Sequence, residues 1–278
     1  MFVKSIQIKF ILEIIHKITH IIQRIILKIL VHLVFDILIA FLIMAFNFEL
    51  GEVILVDKPY QWTSFDVVRK VCYTIKMRKK VGHAGTLDPL ATGLLILCTG
   101  KMTKKIDNYQ AAEKEYTGEL ILGFTTPSVD LETVPENEKD ISHLTNEQII
   151  EATEQFKGII SQVPPIFSAV KINGTRAYEH ARKGEEKEIE PRQVEIKEFE
   201  ITAINLPKVS FRIVCSKGTY IRSLVRDLGA VLGVGAYMSA LVRTRIGEFR
   251  LEDAWKMEDF MNEVHNSQTT QSSNESLV

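Results

Sequence analysis

The segment VGHAGTLDPLATGLLIL (81–97) holds a single carboxylate, Asp88, in a glycine-flanked turn. Gly82, Gly85 and Gly93 open backbone dihedrals closed to other residues, and Pro89 drives Asp88 toward an extended conformation. An acid so placed can cap a helix that begins at Pro89, a common arrangement for an acid before a proline at the first helical position. Local spacing favours the cap, which leaves the presence of His83 and Thr86 in the same turn unaccounted for. Two distant residues have chemistry of their own, Tyr116 in KEY (114–116) and Arg222 in GTYIR (218–222). Taken alone, the tyrosine reads as a core residue with a satisfied hydroxyl, and the arginine as a solvated helix residue.

The elements around these residues mix strands and helices. GEVILVDKP (51–59) is a short apolar run closed by proline, and EYTGELILGF (115–124) is a second strand. TSFDVVRKVCYTI (63–75) opens with a Thr/Ser cap and places Phe65, Val68, Cys72 and Ile75 on one helical face. In LTNEQIIEATEQFKG (144–158), Thr145 and Gln148 form a capping box and Gly158 is the expected stop. VSFRIVCSKGTYIRSLVRDLG (209–229) reads as strand, glycine turn and helix, with Ile221, Leu224, Val225 and Leu228 as the buried stripe and Arg222 and Arg226 off it. The polar end, SQTTQSSNESLV (267–278), has the composition of a disordered tail, assigned to 263–278.

An apolar share of 46% and a charged share of 25% fit a folded protein of 278 residues in one or two domains. The net charge of −1 argues against a nucleic-acid binder unless a local basic patch exists. Cys72, Cys98 and Cys215 are odd in number and lack metal-ligand spacing. They point to a reducing, cytoplasmic setting without disulfides and with no metal site.

Residues 1–43 differ from the rest. Lys9, Glu13, Lys17, His20, Arg24 and Lys28 recur every three or four positions and would line one polar stripe on an otherwise aliphatic helix. The longest uncharged run, 37–48, is 12 residues, short of the roughly 20 needed to span a bilayer. A membrane-surface helix, a signal peptide and sequence upstream of a start at Met44 compete, and the last is favoured. A membrane association is not expected.

The motif GHAGTLDPLATGLL resembles the catalytic motif of the TruB family of tRNA pseudouridine synthases. Further blocks resemble the family in the same order: DKPYQWTSFDVV (57–68), KEYTGELILGFTTPSVDLE (114–132), QVPPIFSAVKINGTRAYEHARKG (162–184), CSKGTYIRSLVRDLG (215–229) and LVRTRIGEF (241–249). The likeness runs from about residue 48 to 256, and it is the ordered set of blocks that makes it specific.

The resemblance implies an α+β pseudouridine synthase fold, with a mixed, largely antiparallel sheet, flanking helices and a central catalytic cleft. It implies isomerisation of uridine to pseudouridine at position 55 in the T loop of tRNA. It assigns Asp88 as the catalytic aspartate, Tyr116 as the active-site tyrosine and Arg222 as the arginine that pairs with the aspartate. His83 corresponds to the histidine beside the flipped nucleotide, and Tyr220 and Leu241 to the uridine pocket. The chemistry suits these types. The N1–C1′ bond breaks, the base turns and C5 joins C1′, so no cofactor is required. A neighbouring cation favours the charged carboxylate, and a tyrosine can relay the C5 proton. Arg78, Lys79, Lys80 and Lys101 are candidates for the RNA backbone, where binding would be salt-sensitive; their other reading is a solvated face.

Three departures stand out. Gln61 occupies a usual glycine of the first motif, so that turn is expected to differ. TTPSVD (125–130) replaces the usual run after the tyrosine, an expected change of loop detail only. About 20 residues follow Trp255, too few for the C-terminal PUA module of many members, given that a stable unit needs roughly 40. The expectation is a monomer that grips the tRNA T arm with its catalytic domain, 48–256, and needs no protein partner. A tRNA-binding chaperone whose role does not depend on turnover is the alternative.

Overall fold

The computed structural model describes residues 22–34 and 46–275, apart from 78, 169, 173, 184, 186 and 187. The chain divides into two units, at Phe46 and Asn47. In the first, residues 22–34 form an exposed helix, α1; most of the 1–43 stripe and Met44 lie outside the described residues. No helix among the described residues is long and apolar enough to cross a membrane.

In the second unit the chain runs β1 (Val53–Lys58), α2 (Ser64–Thr74), β2 (Val81–His83), β3 (Thr92–Thr99), α3 (Ile106–Ala111), β4 (Lys114–Leu122), α4 (Asn146–Glu151) and β5 (Gly158–Gln162). It continues through β6 (Lys171–Ile172), β7 (Thr175–Arg176), α5 (Ala177–Arg182), β8 (Arg192–Asn205), β9 (Lys208–Cys215) and α6 (Ile221–Val231). β10 (Ala236–Ile246), β11 (Phe249–Arg250), β12 (Trp255–Lys256) and α7 (Met257–Glu275) complete it. The main sheet is ordered β12-β1-β3-β10-β4-β9-β8-β5, with β2 on β3 and β11 on β10. Among the described strands, only β1–β12 and β3–β10 are parallel. The architecture is therefore α+β with a mixed, largely antiparallel sheet and flanking helices.

The local rules that form these elements are visible. Thr63 caps α2 in a box closed by Asp66, and Thr145 caps α4 in a box closed by Gln148. The stripe Ile221, Leu224, Val225 and Leu228 is buried against the sheet, in one core with Leu120, Leu122, Phe199 and Phe211.

Four expectations are corrected. No helix begins at Pro89. Pro89 and Leu90 form a turn, and TGLLILCT is strand β3, enclosed between β1 and β10 and buried from Gly93 onward. A short apolar run buried on both sides lacks the period that separates strand from helix. Gly93 (φ +101°) allows this, since a Cβ there would stand 2.4 Å from the Arg243 carbonyl oxygen. Second, α2 buries Val67, Val68 and Val71 while Phe65 faces outward, 66% exposed. Third, α4 stops at Glu151, because buried Thr153 turns its hydroxyl onto the Ile150 carbonyl and a 3-10 turn follows. Gly158 (φ +86°) starts a strand instead of ending a helix. Fourth, the tail assigned to 263–278 is helical to Glu275: Met257, Phe260 and Val264 bury one face of α7 and propagate the helix beyond them.

Candidate active site

Asp88 lies in the loop between β2 and β3, and four backbone carbonyls of that loop, those of Gly85, Thr86, Leu87 and Pro89, accept from groups outside it. The Gly85 carbonyl accepts from Arg243 Nη2 at 3.1 Å, and that of Thr86 more weakly from Nη1 at 3.5 Å. The Leu87 carbonyl accepts from Ser64 Oγ at 3.2 Å, while Leu87 N–H donates back to the same oxygen at 2.9 Å. The Asp88 carbonyl accepts from Ala91 N–H at 3.1 Å. The Pro89 carbonyl accepts from Gln61 N–H at 2.9 Å and Lys58 Nζ at 3.2 Å. Buried carbonyls need partners; here those from outside the loop come from β1, the turn after it, α2 and β10, so the sheet and α2 fix the backbone that carries Asp88.

Three of those partners were not singled out from sequence. Lys58 and Arg243 are fully buried cations, and Ser64 is a buried first-turn serine. Lys58 also donates to the Pro59 and Trp62 carbonyls at 3.0 and 2.6 Å, and burial pulls its pKa down to about 8. Arg243 anchors itself to the Leu94 carbonyl at 2.8 Å. Their signals are slight: DKP and LVRTRIGEF each show a charge in an apolar strand, where it must either be solvated or collect acceptors.

Gln61 has a φ of +66°, a left-handed backbone that a glycine adopts freely and that carries a strain cost for a side chain. The 2.9 Å bond from Gln61 N–H to Pro89 holds that conformation.

A cleft of about 610 Å³ is lined by Asp88, Tyr116, Tyr220, Arg222, Leu241 and Arg243, among others. Five residues proposed from sequence thus meet in one cavity. Arg222, at the start of α6, is buried, contrary to the solvated reading. Its Nε donates to Asp88 Oδ2 at 2.9 Å and lies 3.6 Å from Asp130 Oδ2. Nη1 donates to the Ser128 carbonyl at 2.9 Å and Nη2 to the Phe167 carbonyl at 2.8 Å. One guanidinium therefore joins the Asp88 loop, the 126–133 loop and the segment after β5.

That makes TTPSVD more than loop detail: it supplies two of the groups around Arg222. Thr126 and Ser128 hydroxyls both donate to the Asp130 carbonyl. Val129, between the contacts, holds φ +61°, a costly conformation for a β-branched residue.

Tyr116 on β4 pairs with Arg243 of β10 across the sheet. Burial pushes its hydroxyl pKa up, partly opposed by the Arg243 cation, so it is protonated at neutral pH. Leu241 faces the cleft from β10 opposite Gly118. Tyr220 caps α6, and the Gln162 amide grips its backbone with bonds of 2.8 and 3.1 Å.

His83 is not among the residues lining the cleft. It ends β2, its Nδ1 is buried without a partner, and burial and Arg243 lower its pKa, so the ring is neutral at neutral pH. Lys79, Lys80 and Lys101 are exposed around the turn that joins Lys80 to Gly100. Arg78 lies outside the described residues. Among the described residues, no cluster of three or more His, Cys, Asp or Glu is gathered to hold a metal ion.

Comparison with known proteins gives a consistent picture. Residues 72–221 match the model of the TruB family pseudouridylate synthase N-terminal domain. Residues 222–277 match that of the tRNA pseudouridylate synthase B C-terminal domain. This second match falls on α6 to α7, within the same compact unit as the cleft. The tRNA pseudouridine synthase B of Phocaeicola vulgatus is 51% identical over 77% of this chain and 93% of its own length. That of Flavobacterium johnsoniae is 52% identical over 73% of this chain and 92% of its own. Among solved structures, a Cbf5-Nop10-Gar1 complex contains a chain with TM-score 0.62 and 31% identity. The likeness covers 79% of this chain and 56% of that one.

Proposed function

The chain belongs to the TruB family of pseudouridylate synthases, and with the geometry of the cleft this is the premise on which we propose that it converts uridine to pseudouridine at position 55 in the T loop of tRNA. The observation that carries the reading is the 2.9 Å pairing of Asp88 with buried Arg222 on the wall of a cleft large enough for a nucleoside.

In this reading Asp88 is the catalytic carboxylate. Arg222 aims it through the single charge-assisted bond from Nε to Oδ2, while the remaining donors are tied to the Ser128 and Phe167 carbonyls. The N1–C1′ bond breaks, the base rotates and C5 bonds to C1′. The C5 proton then leaves, and Tyr116, held as a neutral hydroxyl, relays it. Attack at C1′ and elimination with recapture both need one carboxylate at this position. Tyr220 and Leu241 bound the base. The target leaves its stack at a cost of a few kcal/mol, and the neutral ring of His83 fills the gap it leaves in the RNA. The T arm is gripped by its shape and by Lys79, Lys80 and Lys101. The catalytic domain spans 48–256, and it acts as a cytoplasmic monomer with no added cofactor. A chaperone without turnover gives no role to the Asp88–Arg222 pair and is not adopted.

Incubation with an unmodified tRNA transcript, followed by position-specific pseudouridine mapping, tests the proposal. A single new pseudouridine at position 55 is expected. No product, or product only elsewhere, would overturn it.

A further inference from the structure

The cleft lining is rich in cations, and they differ in how they are used. Arg243 and Arg222 are consumed by the carbonyls and carboxylates described above. Lys114 is buried and spent on the carbonyls of Tyr109, Gln110 and Ala112 at the end of α3. Arg192 and Lys217 also line the cleft, and among the described residues neither enters an ion pair. Among the described residues, Asp88 is the only acid in the lining.

Arg192 is also preorganised. It is the first residue of β8, paired with Gln162 of β5. Its guanidinium carbon lies 4.4 Å from the centroid of the Tyr220 ring, a cation–π distance. On another side it rests near the backbone of Gly218, where an added Cβ would be 3.7 Å from that carbon. The Nε atom is buried with no hydrogen-bond partner. A guanidinium fixed in place with an unused donor loses little freedom when it captures a flat, anionic acceptor.

Building on the isomerase reading, we propose that Arg192, aided by exposed Lys217, is a phosphate-binding site for the RNA backbone beside the flipped uridine. A uridine seated between Asp88 and Tyr220 must bring its two flanking phosphates to the rim, and this is the rim with uncommitted cations. Arg192 thereby does two things: it takes the phosphate, and it holds the Tyr220 ring from behind. It stands apart in sequence from Lys79, Lys80 and Lys101.

The test uses the full chain with a T-arm RNA. Arg192→Ala is expected to raise KM about tenfold, with kcat changed far less. The slope of log(kcat/KM) against log salt should become shallower by about 0.7, the share of one phosphate contact in single-stranded RNA. Arg192→Lys should recover the slope but not all of the affinity. In a second arm, the phosphates flanking the target are replaced singly by neutral methylphosphonates. One linkage should weaken binding to wild type and cost Arg192→Ala nothing further. Unchanged KM and slope, or losses that add at every linkage, would overturn the proposal. If the alanine variant does not fold, the lysine variant and the linkage scan on wild type decide, and insensitivity at both flanking linkages refutes it. Binding measured in an Asp88→Asn background needs no turnover, so failure of the isomerase reading would be seen separately, as absence of product with wild type.

Discussion

Removing the Ser64 hydroxyl tests whether the strapping of the Asp88 loop governs catalysis. Ser64 is 2% exposed and Leu87 3%. The single oxygen makes both bonds to the Leu87 backbone, at 2.9 and 3.2 Å. Ser64→Ala strands a buried N–H and a buried carbonyl, at about 1–3 kcal/mol for each orphaned group. Partial relaxation brings the total to roughly 2–4 kcal/mol, or a fall in Tm on the order of 5–15 °C for a chain of this size. The residue freed is the one before Asp88, and a displacement of about 1 Å at a reacting group costs roughly a hundredfold in rate. The assay is kcat and KM for pseudouridine formation well below the lowered Tm. The expected result is a kcat lower by about two orders of magnitude with KM little changed. Ser64→Thr, which keeps a hydroxyl, should recover most of it, and Ser64→Cys should not. A fall in Tm with kcat intact would show that the bonds stabilise the fold without positioning the carboxylate.

Two further outcomes follow from the geometry. Gln61→Gly relieves the +66° φ and should raise stability by up to about 1 kcal/mol, whereas Gln61→Ile should lower it by about as much or more; thermal denaturation of the three proteins reads this. Burial brings both Lys58 and Lys114 down to about 8 from 10.5. The folded state therefore binds fewer protons than the unfolded chain between about pH 8 and 10.5, so these two lysines contribute stability that rises with pH there. Activity should move the opposite way: above about pH 8, Lys58 loses its charge near Asp88 and one of its three donors. An alkaline fall in kcat/KM that survives Lys114→Gln identifies Lys58, and its loss in that variant would assign it to Lys114.

The legibility of this chain differed from element to element. The capping boxes at Thr63 and Thr145 and the stripe on α6 are local patterns, and local patterns survive into the fold. The Asp88–Arg222 pair joins residues 134 apart; it was legible only through the resemblance of ordered blocks, since nothing in the spacing of either residue signals the other. Lys58, Ser64, Arg243 and Asp130 were missed for a common reason. Each acts on backbone or charge contributed by another segment, and such service leaves no periodic trace. The run 90–97 was misread because a strand buried on both faces has no polar alternation. Gln61 shows a further limit: its residue type gives no sign of the left-handed φ of +66° that it adopts, which the bond from its N–H to the Pro89 carbonyl helps to hold.

The central claim is that Asp88, held by Arg222, performs the isomerisation. The most direct test is position-specific mapping of pseudouridine in an unmodified T-arm RNA treated with wild type or Asp88→Asn, with RNA binding measured in parallel. The expected result is full conversion at position 55 by wild type, none by the variant, and binding retained by both. Conversion by Asp88→Asn at the wild-type rate would contradict the account.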